Sequence, residues 1–118
     1  MKIEKIADLL DAEVLCGKEF LDNHVYSACG SDMMSDVLAF VKEQAVLLTG
    51  LVNPQVVRTA EMMDMRCIVF IRGKKPTEDV LRLAEDAEIV VLSTPKRMFT
   101  ACGLLYENGL VGEGRVNG

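Results

Sequence analysis

Tryptophan is missing from this chain, and only two tyrosines and four phenylalanines occur among its 118 residues. A core built from it must therefore be aliphatic, filled out by seven methionines that pack adaptably. Basic residues are in the minority, 13 against 18 acidic ones for a net charge of −5, which argues against a nucleic-acid backbone or an anionic membrane surface as partner, since both call for a basic face. Long apolar runs are absent too: nothing approaches the roughly 20 residues of a membrane span, and charges interrupt the first fifteen residues too often for a signal peptide. The expected location is cytoplasmic. Histidine occurs once, and Cys16, Cys29, Cys67 and Cys102 lie far apart with no CxxC pair, so zinc-ligand spacing is missing and free, reduced thiols are expected. No metal or cofactor is expected.

Proline is equally scarce, and its placement is informative. Pro54, Pro76 and Pro95 each follow a short apolar run, in AVLLTGLVNP, CIVFIRGKKP and IVVLSTP. A residue with fixed φ and no N–H fits the first turn of a helix, so the repeat reads as three strand-turn-helix units. Unbroken apolar character in VLL, IVF and IVVL fits parallel strands covered on both faces. The expected fold is α/β, a three-layer α/β/α sandwich with a mainly parallel sheet, in one domain over residues 1–110 with a flexible tail at 111–118.

Periodicity fills in the remainder. Ile3, Ile6, Ala7 and Leu10 form a helical stripe. Ala12 to Cys16 reads as a strand ended by Gly17, and Leu21 to Cys29 as a second extended segment. Ser31 and Asp32 are expected to cap a helix bearing Met34, Val37, Leu38 and Val41. Strands are expected at Ala45–Thr49, Cys67–Ile71 and Ile89–Leu92. The helices between and after them are expected to be capped by Asn53, to start near Thr77, and to be capped by Thr94 and run from Pro95 to Glu107.

Over nearly its whole length the chain resembles the DRTGG domain family and the N-terminal domain of HPr kinase/phosphorylase. The markers are LCG at Leu15–Gly17, SDxxSDVL at Ser31–Leu38, LSTP at Leu92–Pro95 and LYENGL at Leu105–Leu110. Where the family shows Asp-Arg and then Thr-Gly-Gly, this chain has Asp22 and Asn23, then Tyr26, Ser27 and Ala28. The resemblance implies an α/β module that often dimerises and serves regulatory or interaction roles. It occurs alone or fused, for example to phosphotransacetylases and to CBS-domain pyrophosphatases. In HPr kinase the catalytic P-loop lies in another domain, and no GxxxxGK[ST] occurs here.

Candidate site residues follow from the turns. Thr49, Gly50 and Asn53 after one strand and Ser93 and Thr94 after another should converge at the carboxyl edge of the sheet, where open α/β folds bind ligands, and helix N-termini there could receive a small anion such as an adenine nucleotide. Ser31, Asp32, Ser35 and Asp36 offer oxygens on one helix, although capping explains them as well. Asp22, His24 and Tyr26 should face one side of an extended segment as a motif or interaction loop. The basic run Arg72–Lys75 reads as a solvated turn facing the acids of Thr77–Asp79. No nucleophile with an orienting partner is evident, so a noncatalytic regulatory domain, homodimeric and sensing a small anion, is the first reading. A kinase-associated or hydrolytic enzyme and a ligand-free protein adaptor are the alternatives. Exposed Met62, Met63 and Met65 would favour a partner surface.

Overall fold

The computed structural model describes residues 1–40 and 44–112. Helix α1 (Ile3–Leu9) leads into β1 (Glu13–Cys16), and a single 3-10 turn at Lys18–Phe20 precedes β2 (Ser27–Gly30) and α2 (Met34–Phe40). Three β/α units follow: β3 (Ala45–Thr49) with α3 (Pro54–Met62), β4 (Cys67–Phe70) with α4 (Glu78–Asp86), and β5 (Val90–Ser93) with α5 (Met98–Glu107). The five strands form one sheet in the order β1-β5-β4-β3-β2. Four run parallel, and β1 closes one edge antiparallel to β5, with a register shift between Val14 and Cys16.

Every residue of β3, β4 and β5 is buried, and the alternation of the pleat divides them between two cores. Val46, Leu48, Cys67, Val69, Val90 and Leu92 pack with α1 and α5 through Ile3, Ile6, Ala101 and Leu105. Ala45, Leu47, Ile68, Phe70 and Val91 pack with α2, α3 and α4 through Val37, Val56, Ala60, Val80 and Ala84. The sheet is thus the middle layer of a three-layer α/β/α sandwich with a mainly parallel sheet.

Several local expectations change. Residues 21–26 are not a strand: they follow the 3-10 turn and meet the start of α1 through an isolated bridge between His24 and Lys2 and through bonds from Ile3 N to Asn23 O and Glu4 N to Leu21 O. Val25 is fully buried, its N–H donating to the Met1 carbonyl at 2.8 Å. Of the three prolines only Pro54 opens a helix, behind an Asn53 cap whose side chain accepts from Val56 N. Pro95 lies in a turn and α5 begins at Met98, because Thr94 is drawn inward to bond elsewhere. Met65 is buried, and of Met62, Met63 and Met65 only Met62 is strongly exposed, so the expected methionine patch does not form a continuous surface. On α2, Leu38 is exposed at 43%, while Val41 lies outside the described residues. The tail expected at 111–118 begins within them: Val111 accepts from Ala28 N at 2.9 Å alongside the open edge of β2. Residues 113–118 lie outside the described residues.

Candidate functional site

Turns leave the carboxyl ends of β2, β3, β4 and β5 on one edge, and backbone bonds tie them together. Ser31 N donates to Leu48 O, Ile71 N to Thr49 O, Arg72 N to Lys96 O and Gly73 N to Thr94 O, all between 2.8 and 3.1 Å. Parallel strands in register deliver this automatically, since each turn starts at the same height of the sheet.

Asp32 stands at the centre. Its Oδ1 accepts from the Thr49 hydroxyl at 2.9 Å and from Gly50 N at 2.7 Å. The Gly50 bond first, then the Thr49 hydroxyl and the charges of Arg72 and Lys74, hold the Asp32 carboxyl below its ordinary value, against an opposing effect of burial. Asp32 therefore does not cap α2. A carboxylate at the end of β2 is offered two donors by the neighbouring turn, and a cross-strand bond to them satisfies both at once. Ser31 does not cap the helix either; its hydroxyl closes a local turn by accepting from Met33 N.

Gly50 has a specific reason to be glycine. A Cβ there would lie 2.5 Å from an Arg72 guanidinium nitrogen and 3.6 Å from Asp32 Oδ1. The missing side chain is the space in which the Arg72 guanidinium rests beside the carboxylate. Arg72 itself has φ of +58°, a left-handed conformation that turns the chain over the site. It was legible in the sequence only as part of a basic run, and its expected partners were wrong: Lys75 pairs with Glu13 at 3.0 Å, across the sheet edge on β1, not with the acids at 77–79.

The expected hydroxyls are present but already occupied. Thr49 Oγ1 also accepts from Leu51 N, and Ser93 Oγ donates to Lys74 O at 2.8 Å. Thr94 Oγ1 donates to Leu10 O at 2.6 Å and accepts from Lys96 N, which corrects its expected role as the cap of α5. Asn53 Oδ1 serves α3. What faces outward at this edge is mostly cationic: Arg72, Lys74 and Lys75 are exposed beside the exposed Asp32, and Lys96 is half-buried and paired with Asp11 at 3.7 Å. Ser35 and Asp36 are exposed on α2 and make no bond to these turns among the described residues.

Asp22 and His24 lie elsewhere. With Tyr26 they line a polar cavity of about 300 Å³ together with Asn23, Gln44 and Arg66; since Asn23 shares it, the alternation of an extended strand is not what gathers them. Gln44 and Arg66 carry no sequence signal of this kind. They enter because each immediately precedes a strand, β3 and β4.

A third feature is apolar. Beside the edge strand β2, a groove of about 400 Å³ is lined by Ala28, Gly30, Phe99, Cys102, Tyr106 and Leu110, and Phe99 and Tyr106 are 89% and 72% exposed. The thiols are poor nucleophiles. Burial pushes Cys16 up to about 11 and Cys67 further, and raises Cys29 and Cys102 as well. All four are free. Among the described residues no group of three or more His, Cys, Asp or Glu side chains could hold a metal ion, and no helix is long and apolar enough to cross a membrane.

Comparison with known proteins places this geometry. The family described as DRTGG domain matches residues 5–107. Among solved structures, the chain is similar to the CBS and DRTGG domains of the regulatory region of Clostridium perfringens pyrophosphatase, crystallised with its activator diadenosine tetraphosphate. The TM-score is 0.69 at 21% identity, over 88% of this chain and 45% of that one. This chain thus spans less than half the length of that regulatory region. No match is found among curated proteins.

Proposed function

The chain belongs to the DRTGG domain family, and from that premise we propose that it is a noncatalytic regulatory module that senses a small anionic ligand, of the adenine-nucleotide class, at the carboxyl-edge turns. The observation that carries this reading is the Arg72 guanidinium seated over Gly50 beside Asp32. Arg72, Lys74, Lys75 and Lys96 gather on one edge of an otherwise acidic protein, next to the N-terminus of the nine-residue helix α3. Cations on short turns and the positive end of a helix dipole suit a phosphate chain. The Thr49, Ser93 and Thr94 hydroxyls fix the turns, and Asn53 fixes the helix start, so their role is to position the cations. The activator held by the pyrophosphatase regulatory region makes a nucleotide the first class to try.

Regulation by such a module needs a second surface that reads the bound state. The groove beside β2 and α5, with Phe99 and Tyr106 exposed, supports a homodimer formed there, since aromatic side chains so open to water are anchors in search of a partner. Raised thiol pKa values and hydroxyls already committed to hydrogen bonds within the turns favour a binding role over catalysis. Four free cysteines suit the reducing cytoplasm. A ligand-free adaptor is the second reading, favoured by that same groove.

Thermal melting of the full chain with a panel of adenine mono-, di- and dinucleotides tests the first reading. A ligand at about a hundred times its Kd stabilises by about 2.7 kcal/mol, which raises the melting temperature of a domain of this size by about 10 °C. The rise should vanish in Arg72→Ala. A flat panel with an intact dimer would favour the adaptor. Sedimentation should show a dimer at micromolar concentration that Phe99→Glu converts to monomer, and a monomeric wild-type chain removes the dimer from the proposal.

A further inference from the structure

The amino ends of β2, β3 and β4 lie at the other edge of the sheet from the turns just described. The residues that immediately precede those strands are Tyr26, Gln44 and Arg66. Together with Asp22, Asn23 and His24 they line the polar cavity of about 300 Å³. Most of what they offer is of one kind: a guanidinium, an imidazole, two amides and a phenol supply hydrogen-bond donors on short, braced segments. Tyr26 N donates to Gln44 O at 2.9 Å, Asn23 N to Phe20 O at 3.0 Å, and Arg66 O accepts from Val90 N at 2.9 Å. His24 is held between the buried Val25 and its bridge to Lys2.

Arg66 is incompletely served. Its Nε is buried and makes no hydrogen bond among the described residues; that same Nε faces Asp64 Oδ1 at 3.4 Å in an ion pair, with the Arg66 and Asp64 side chains 38% and 68% exposed. Asp22 reaches Lys2 only at 3.9 Å and is 86% exposed. Gln44 Nε2 meets Asp64 Oδ2 at the limit of bonding, 3.5 Å. Both acids at the rim are therefore loosely held surface groups, which an entering anion can displace at little cost. A buried Nε–H whose carboxylate neighbour makes an ion pair but no hydrogen bond is a group that a better-placed ligand oxygen would satisfy.

We propose that this cavity is a second anion site, separate from the carboxyl-edge turns, which takes one phosphoryl group, free or as a small phosphomonoester. Arg66 grips two oxygens through its fork, and His24, Asn23 and Gln44 supply further donors.

The experiment is a titration of the isotopically labelled full chain with inorganic phosphate, and separately with glycerol phosphate, read by NMR at the Arg66 Nε–Hε signal and the backbone amides of 23, 24, 26 and 44. The expected result is a saturable shift at those positions, with Arg66→Met losing about tenfold to a hundredfold in affinity and His24→Gln losing less. A stronger response to glycerol phosphate identifies an ester as the ligand, and equal responses identify free phosphate. The wild-type signals decide the matter even if Arg66→Met fails to fold. Shifts confined to 72–75 and 94–96, or none at the cavity, would overturn the proposal, as would a folded Arg66→Met that binds phosphate like the wild type.

Discussion

Replacing Asp32 tests whether the carboxyl-edge turns are held together from the end of β2. In Asp32→Ala the Thr49 hydroxyl and the Gly50 N–H, bonded at 2.9 and 2.7 Å, both lose their acceptor. A hydrogen bond to a charged group contributes about 1.5–3 kcal/mol when water is excluded. Asp32 is exposed, so water recovers part of each bond, and the combined loss should be about 1.5 kcal/mol. With a urea m-value near 1.5 kcal/mol/M, the midpoint at pH 7 falls by about 1 M. Asp32→Asn keeps an acceptor and should lose roughly half as much. The dependence on pH follows from the depressed carboxyl. A group that ionises more readily folded than unfolded stabilises the fold above its unfolded value, here 3.8, and that contribution disappears as pH falls through the folded value. The gap between wild type and Asp32→Asn should therefore be full at neutral pH and shrink below about pH 4. An Asp32→Ala midpoint equal to that of wild type at pH 7, or a gap to Asp32→Asn that persists unchanged in acid, would refute the assignment of Asp32 as the tie between turns.

Gly17→Ala should cost about 2–4 kcal/mol, because φ is +85° and the new Cβ would sit 2.8 Å from the Val90 Cα, which is backbone and cannot yield. Gly73→Ala, at φ +69° with open space around it, should cost only about 1 kcal/mol; equal losses in paired urea melts would show that crowding at Gly17 is not the cause. Thr94→Val should lose about 1–3 kcal/mol in the same assay, since it strands the buried Leu10 carbonyl and Lys96 N–H. Gly50→Ala should leave stability within about 1 kcal/mol, as the end of the flexible Arg72 side chain can move away, yet abolish nucleotide-induced thermal stabilisation; retention of that stabilisation would separate ligand binding from the seat of Arg72.

The layered fold was legible because burial on both faces leaves a local mark. AVLLT, CIVF and IVVL fit inner strands covered on both faces, and each helix that covers them repeats its apolar residues every three or four positions. Asn53 with Pro54 announced α3 for an equally local reason, since the cap and its acceptor are three residues apart. Asp32 and Thr94 were misread by the same local logic. Each looks like a cap in its own neighbourhood, but a better partner arrives from elsewhere in the chain.

The site residues divide along this line. Thr49, Gly50, Ser93 and Thr94 were expected at one edge because parallel strands end together, and they do lie there. Arg72 was hidden in a basic run because its seat depends on a glycine of the preceding unit. Gln44 and Arg66 had no signal, since their common cavity with His24 exists only after β2, β3 and β4 are aligned.

What the sequence alone determined, then, is the layering: hydrophobic period and turn residues act within a few positions and dictate strands, helices and the faces they bury. Only the tertiary structure decided the bonds of Asp32 across 17 and 18 residues, of Thr94 across 84, and the antiparallel edge strand β1. Those contacts join residues with no local constraint on one another, and each is chosen by which polar group the assembled sheet leaves in need of a partner.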